Sequence, residues 1–244
     1  MFFTSQGVVL KRVKVSDYDK ILTVFTLDAG KISGSVKGSQ SPKSKLGPGT
    51  HPFIYGEFTF NKGGKLSRIT SIDIIRAHYK LRENLEPLAL ASYFLELVNL
   101  VTVENERNVA LFHLIIDYLE WVEQTIDPID LQRLKVSFEL KFLYCVGLQP
   151  ELDQCVNCGG GYDNPKFSVE AGGTVCENCF DLYPGDPRMG HVLPKLMTYL
   201  LQADIKDLMA VVIDEVLLKK INYLNNQFLL HHLGRKGFKT MMNF

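Results

Sequence analysis

The chain has a single tryptophan and no apolar run near the roughly 18 residues needed to cross a bilayer. It lacks the G-x-x-x-x-G-K-[ST] loop that cradles phosphates in P-loop ATPases. It has no H-E-x-x-H, and none of its six histidines is followed two places later by glutamate, so zinc-protease and zinc-deaminase chemistry have no anchor. His231-His232 falls near a helix end, where a polar cap suits it better than a ligand pair. Gly159-Gly160-Gly161 follows a cysteine pair and reads as its turn, not as a dinucleotide loop. Met1-Phe2-Phe3-Thr4-Ser5-Gln6 shows neither a basic leader nor a long apolar core, so the expectation is a cytoplasmic protein without a signal peptide. No catalytic constellation emerges, and an enzyme is not expected.

What is present begins with cysteine. Cys155-Val156-Asn157-Cys158 and Cys176-Glu177-Asn178-Cys179 form C-x2-C-x17-C-x2-C. Each C-x2-C turn can place two thiolates on one metal, and the spacing falls in the zinc-ribbon range. Two redox pairs or two disulfides are the rival readings, and reduced cytoplasmic thiols disfavour them. Four sulfurs leave no open coordination position for water, so the expected role is a structural Zn2+ clip. The fifth cysteine, Cys145, sits in a helical pattern and reads as a small core residue.

Net charge is also missing, since 27 basic residues balance 27 acidic ones. The balance hides segregation. Residues 1–80 carry +8, residues 81–183 carry −11 and residues 184–244 carry +3. Such asymmetry points to one part that meets a polyanion.

Residues 5–75 read as five short strands: Val8–Lys14, Lys20–Leu27, Lys31–Lys37, Phe53–Phe60 and Leu66–Ile74. The last two form a hairpin about Lys62-Gly63-Gly64-Lys65. Five strands with regular turns suit a small closed barrel, either an oligonucleotide-binding (OB) barrel or an SH3-like one. Between Ala29 and Ile72 a single acid, Glu57, faces Lys31, Lys37, Lys43, Lys45, Lys62, Lys65 and Arg68. Residues of that kind replace counterions along phosphates. The interleaved rings Phe25, Phe53, Tyr55, Phe58 and Phe60 could offer stacking platforms, but alternation puts Phe58 and Phe60 on one face, the core face.

From residue 84 the apolar period becomes helical. Asn84 is expected to cap a helix through Leu88, Ala91, Leu95 and Val98, and Asn108 a second from Leu111 to Val122. A third starts near Asp130 and stops at Gly147, and further helices are expected over residues 191–202 and 211–230. The organisation expected is α+β: a nucleic-acid-binding barrel over residues 1–79, then a helical domain over 80–244, interrupted by the zinc module at about 150–183.

Several separate segments, in order, resemble the DNA repair protein RecO family. They are Gly7-Val8-Val9-Leu10, residues 19–26, Gly30-Lys31-Ile32-Ser33, Lys37-Gly38 with residues 42–47, residues 138–150, and both cysteine pairs. The resemblance spans nearly the whole chain. It implies an N-terminal OB-fold and a recombination mediator that binds single- and double-stranded DNA and anneals complementary strands. Implied partners are the single-strand DNA-binding protein and RecR, and through them the RecA recombinase. DNA contact transfers to Lys37, Lys43 and Lys45, and less directly to Lys31; the zinc role transfers to Cys155, Cys158, Cys176 and Cys179. Within the C-terminal part only Lys219, Lys220, Arg235, Lys236 and Lys239 suit a second DNA contact. The alternative is a protein–protein adaptor in which DNA contact is secondary.

Overall fold

β-Branched and aromatic residues alternate with polar ones along the N-terminal third, the pattern of a pleated sheet with one buried face. In the computed structural model, which describes residues 1–39, 41, 44–63 and 66–240, this third forms five strands. They are β1 (Phe2–Lys14), β2 (Lys20–Thr26), β3 (Gly30–Val36), β4 (Tyr55–Asn61) and β5 (Ser67–Arg76), closed into a barrel of order β1-β2-β3-β5-β4. Every pairing is antiparallel except β3 with β5, where Gly34 and Ser35 lie beside Ser67 and Arg68. That closed order is the OB-fold, and it decides against the SH3-like alternative.

β1 starts six residues before the expected Val8. Its first half pairs with β4 and its second with β2, and a register shift between Val9 and Lys11 bends the strand from one partner to the other. Thr4-Ser5-Gln6 is too polar to announce a strand, so the β4 ladder makes it one. Val9, Leu22, Val24, Ile32, Val36, Ile54, Phe58, Phe60 and Ile69 fill the interior.

Two helices pack on the barrel, α1 (Leu85–Val101) and α2 (Val109–Gln124). Asn108 caps α2, its side chain accepting from the Leu111 N–H at 2.9 Å. Asn84 differs from expectation: its side chain makes no capping bond, and only its carbonyl accepts, from Leu88 at 3.2 Å. Phe112 of α2 meets Phe25 of β2 with ring centroids 5.9 Å apart, which explains why the outward-facing Phe25 is buried. The α1–α2 connection lies against the outer edge of β3. Asn105 N–H donates to Lys31 O at 3.0 Å, and Ser33 Oγ donates to Glu104 Oε1 at 2.9 Å. Gly30, at φ 66°, makes this possible, since a Cβ there would lie 2.0 Å from the Glu106 carbonyl oxygen. Strands and helices 1–2 form one compact unit, Met1–Thr125, joined by Lys239 and Thr240, whose backbone N–H groups donate to Glu96.

The second unit, Ile126–Phe238, is built about α3 (Pro128–Cys145), against which α4 (Val192–Gln202), α5 (Ile205–Ala210) and α6 (Glu215–His232) pack. Asp127 starts α3 by accepting from Ile129 and Asp130 N–H at 2.9 and 3.0 Å, and Gly147 at φ 72° ends it. The helix expected over residues 211–230 begins at Glu215. Asp214 caps it, accepting from Val216 at 2.8 Å, and the short α5 ahead of it carries too few residues to show a period. Two three-residue strands, β6 (Lys166–Ser168) and β7 (Gly173–Val175), belong to the cysteine module. Phe167 of β6 packs on Phe228 of α6 at 5.8 Å, and His232 bonds the Val169 carbonyl at 3.0 Å, so the module is docked on that helix. No helix among the described residues is long and apolar enough to cross a membrane.

Candidate metal centre and nucleic-acid interface

The four cysteines meet as their spacing predicts. The sulfurs of Cys155, Cys158, Cys176 and Cys179 all lie within 4.8 Å of one another, and none is in a disulfide. Four thiolates at zinc–sulfur bonds of about 2.3 Å sit about 3.8 Å apart at tetrahedral corners; the Cys158 and Cys176 sulfurs are 3.6 Å apart. The first pair is shaped by a tight turn: Gly159 N–H donates to Cys155 O at 2.8 Å, with Gly159 at φ 69°. The second sits at the head of a short 3-10 helix, where Cys179 N–H donates to Cys176 O at 2.9 Å. Asn157 Nδ2 donates to the Cys179 sulfur at 3.3 Å, an outer contact that orients a ligand.

Burial pushes the Cys155 thiol up, but N–H groups of Cys176, Cys158 and Asn157 outweigh it and bring the group down to about 6. Burial and the surrounding sulfurs push Cys176 up to about 12. Four crowded sulfurs cannot all ionise beside one another without a cation, and a divalent ion removes that conflict. The donor set therefore fits a soft tetrahedral metal, held by these four residues, with Val156, Tyr162, Val175, Phe180 and Tyr183 packed around it.

The lysines are placed differently from one another. Lys37 and Lys45 are exposed in the connection between β3 and β4, and neither takes part in a salt bridge among the described residues. Lys43 lies outside the described residues, as do Gly64 and Lys65 of the β4–β5 turn. Lys31 is half-buried, and its ammonium donates to the Asn99 carbonyl of α1 at 2.8 Å. Burial lowers its pKa, with Glu104 pulling the other way. Of the rings interleaved with these lysines, Phe25, Phe53, Phe58 and Phe60 are all buried, so none is a platform for a base. In the C-terminal stretch Lys219 pairs with Glu215 at 2.7 Å, while Lys220, Arg235 and Lys236 are exposed.

A closed OB barrel and a helical unit that carries a four-cysteine metal-type cluster define an α+β protein of two compact parts. Family models named for recombination protein O match the chain at both ends, the N-terminal model over residues 1–78 and the C-terminal model over residues 82–242. The chain belongs to the recombination protein O family, a family of DNA repair and recombination proteins. It is similar to the DNA repair protein RecO of Alkaliphilus metalliredigens, 32% identical over 242 residues, 99% of this chain and 98% of the relative. It is also similar to that of Acetivibrio thermocellus, 29% identical over 98% of this chain and 94% of the relative. The protein of the same name from Bacillus pumilus is 33% identical over 75% of this chain and 71% of the relative.

Proposed function

We propose that this protein is a recombination mediator that binds single- and double-stranded DNA, anneals complementary strands and, with RecR, helps to load RecA onto DNA coated by the single-strand DNA-binding protein. The observation that carries the reading is the OB barrel with Lys37 and Lys45 exposed in one connection and outside every salt bridge among the described residues. Lys43, between them in sequence, joins them as a backbone contact. Lys31 joins only by giving up its bond to Asn99. Residues 1–79 are the DNA-binding domain in this proposal, and residues 80–244 the helical domain with its metal module.

Annealing on such a surface needs no nucleotide and no turnover site. Cations screen the repulsion between two phosphate backbones while the bases stay free to pair. Burial of Phe25, Phe53, Phe58 and Phe60 favours this backbone mode over base stacking. The four cysteines hold Zn2+ as a structural clip. The protein acts in the cytoplasm, at the nucleoid when DNA is bound.

The test is binding to a labelled single-stranded oligonucleotide across a salt series. The logarithm of affinity should fall linearly with the logarithm of salt, by about 0.7 per phosphate contact. Lys37→Ala/Lys43→Ala/Lys45→Ala should bind many sequences more weakly and lower that slope by about 2. Equal affinity and slope in the triple variant would remove these residues from the interface. Negligible binding by the wild-type protein would move the function onto protein partners and leave an adaptor.

A further inference from the structure

Three consecutive residues of the β3–β4 connection each hold a cation from a different part of the first unit. Lys20 of β2 donates to Thr50 Oγ1 at 3.0 Å. Arg12 of β1 places Nη1 3.0 Å from His51 Nδ1 and 3.3 Å from its Nε2. Arg82 donates to the Pro52 carbonyl at 3.2 Å. Sequence reasoning overlooked this cluster, because its members lie 8 to 70 residues apart and carry no spacing signal.

Among the described residues no acid pairs with it. Arg12, Lys20 and Arg82 take part in no salt bridge among the described residues. The charged groups that act on His51 are Arg12, Arg82 and Lys20, all positive. Of the acids next in sequence, Asp17 pairs with Lys14 at 3.2 Å, Asp19 accepts from the Gly38 N–H at 2.9 Å, and Glu83 is in no salt bridge among the described residues. Like charges gathered without a counterion repel, which is the arrangement of a site shaped for an anion. A second observation comes from the backbone. Phe53, next to Pro52, is a buried bulky residue held at φ 72°, a conformation that costs free energy and collects at binding sites. The Arg82 guanidinium lies 5.8 Å from its ring and 5.5 Å from that of the exposed Tyr79.

We infer that Arg12, Lys20, His51 and Arg82 form a subsite for a phosphate group of the nucleic-acid backbone, and that filling it takes up a proton on His51. This rests on the DNA-binding reading and adds a site distinct from Lys37, Lys43 and Lys45. The imidazole explains the proton. Beside Arg12 a neutral ring can accept at one nitrogen, whereas a protonated ring would present N–H to the guanidinium from both. A phosphate oxygen accepts from both groups and reverses the preference. Burial, then the three cations, hold the free His51 below its ordinary value of 6.5, and a bound phosphate raises it. Affinity therefore increases as pH falls through the window between the free and bound values, by at most about tenfold per pH unit for one proton.

The experiment is oligonucleotide binding by the full-length protein over salt and pH, with melting curves to establish that each variant folds. Arg12→Gln/Lys20→Gln should lower the salt slope by about 1.4, two contacts at 0.7 each; if the double variant does not fold, each single variant should lower it by about 0.7. His51→Gln should lose most of the gain in affinity between pH 8 and pH 5.5. Lys37→Gln/Lys45→Gln should bind more weakly yet keep that gain. If Lys37→Gln/Lys45→Gln weakens binding while the Arg12, Lys20 and His51 variants keep wild-type slope and pH response, the subsite is wrong and the DNA reading stands. If the wild-type protein does not bind, both fall.

Discussion

His78 stands where the chain leaves the barrel, and its backbone and side chain are both constrained. It sits at φ 48°, is buried, and its Nδ1 lies 2.9 Å from Glu123 Oε2, while Nε2 has no partner among the described residues. Burial lowers its pKa and outweighs Glu123, which raises it. The folded value thus lies below the 6.5 of an unfolded histidine, so the unfolded chain binds the proton first. The stability that neutral His78 contributes is full above that value and is lost as pH falls through the lower folded one. Melting of the barrel-bearing unit should drop between pH 7 and pH 5.5, and His78→Asn, which tolerates the left-handed backbone, should make that drop shallower. Identical pH dependence in the two proteins would rule out His78 as the titrating group; His51, whose folded value is also lowered, is common to both.

At the scale of elements, α3 departs most from a surface helix. Its side chains are buried on nearly every face, with Gln132, Arg133, Lys135, Ser137 and Glu139 among them. Lys135 and Glu139 form an ion pair at 2.9 Å with side chains 2% and 0% exposed. Asn222 of α6 accepts from Lys135, and Asn225 of the same helix donates to Glu139 at 3.1 Å. A buried charge left without its partner is costly, whereas an apolar pair of similar volume is often neutral. Glu139→Leu should therefore destabilise the second unit by about 3–5 kcal/mol in urea unfolding. Adding Lys135→Met should recover most of that loss. Failure of the second change to compensate would mean that the pair holds the α3–α6 register and is more than two matched charges.

At the scale of the whole molecule, the +8 of residues 1–80 does not survive folding as a uniformly basic barrel. With α1 and α2 packed on it, the unit Met1–Thr125 carries 15 basic against 13 acidic residues. The added acids are aimed at particular places. Glu104 meets Ser33 outside β3, Glu120 pairs with Arg76, and Glu123 with His78. Among the described residues Arg12, Lys20 and Lys37, which lie where β1 ends, β2 begins and β3 ends, and Lys45 beyond them stand outside every salt bridge. The cysteine module belongs to the other unit, and a metal held there should be linked to that unit's folding. Stripping metal with a chelator should lower the melting temperature of the second unit and leave the barrel transition in place, giving two separated transitions. A single unchanged melting curve would count against a structural metal.

Some of this was legible from the chain alone, because the signals were local. Four cysteines at C-x2-C spacing state their chemistry without help, and α2 shows its period and its Asn108 cap within sixteen residues. The alternation that buries Phe58 and Phe60 was equally plain. What only the tertiary structure decided depends on groups far apart in sequence. Lys31 looks like its neighbours Lys37 and Lys45 until Asn99, 68 residues away, takes its ammonium. The helix over α3 was legible, but the burial of Lys135 and Glu139 was not, because Asn222 and Asn225, which complete their bonding, lie more than 80 residues away on α6. Arg12, Lys20, His51 and Arg82 become neighbours only when the barrel closes and the chain past it returns to the β3–β4 connection, since charge has no periodicity and its meaning is set by what folding brings within a few ångströms.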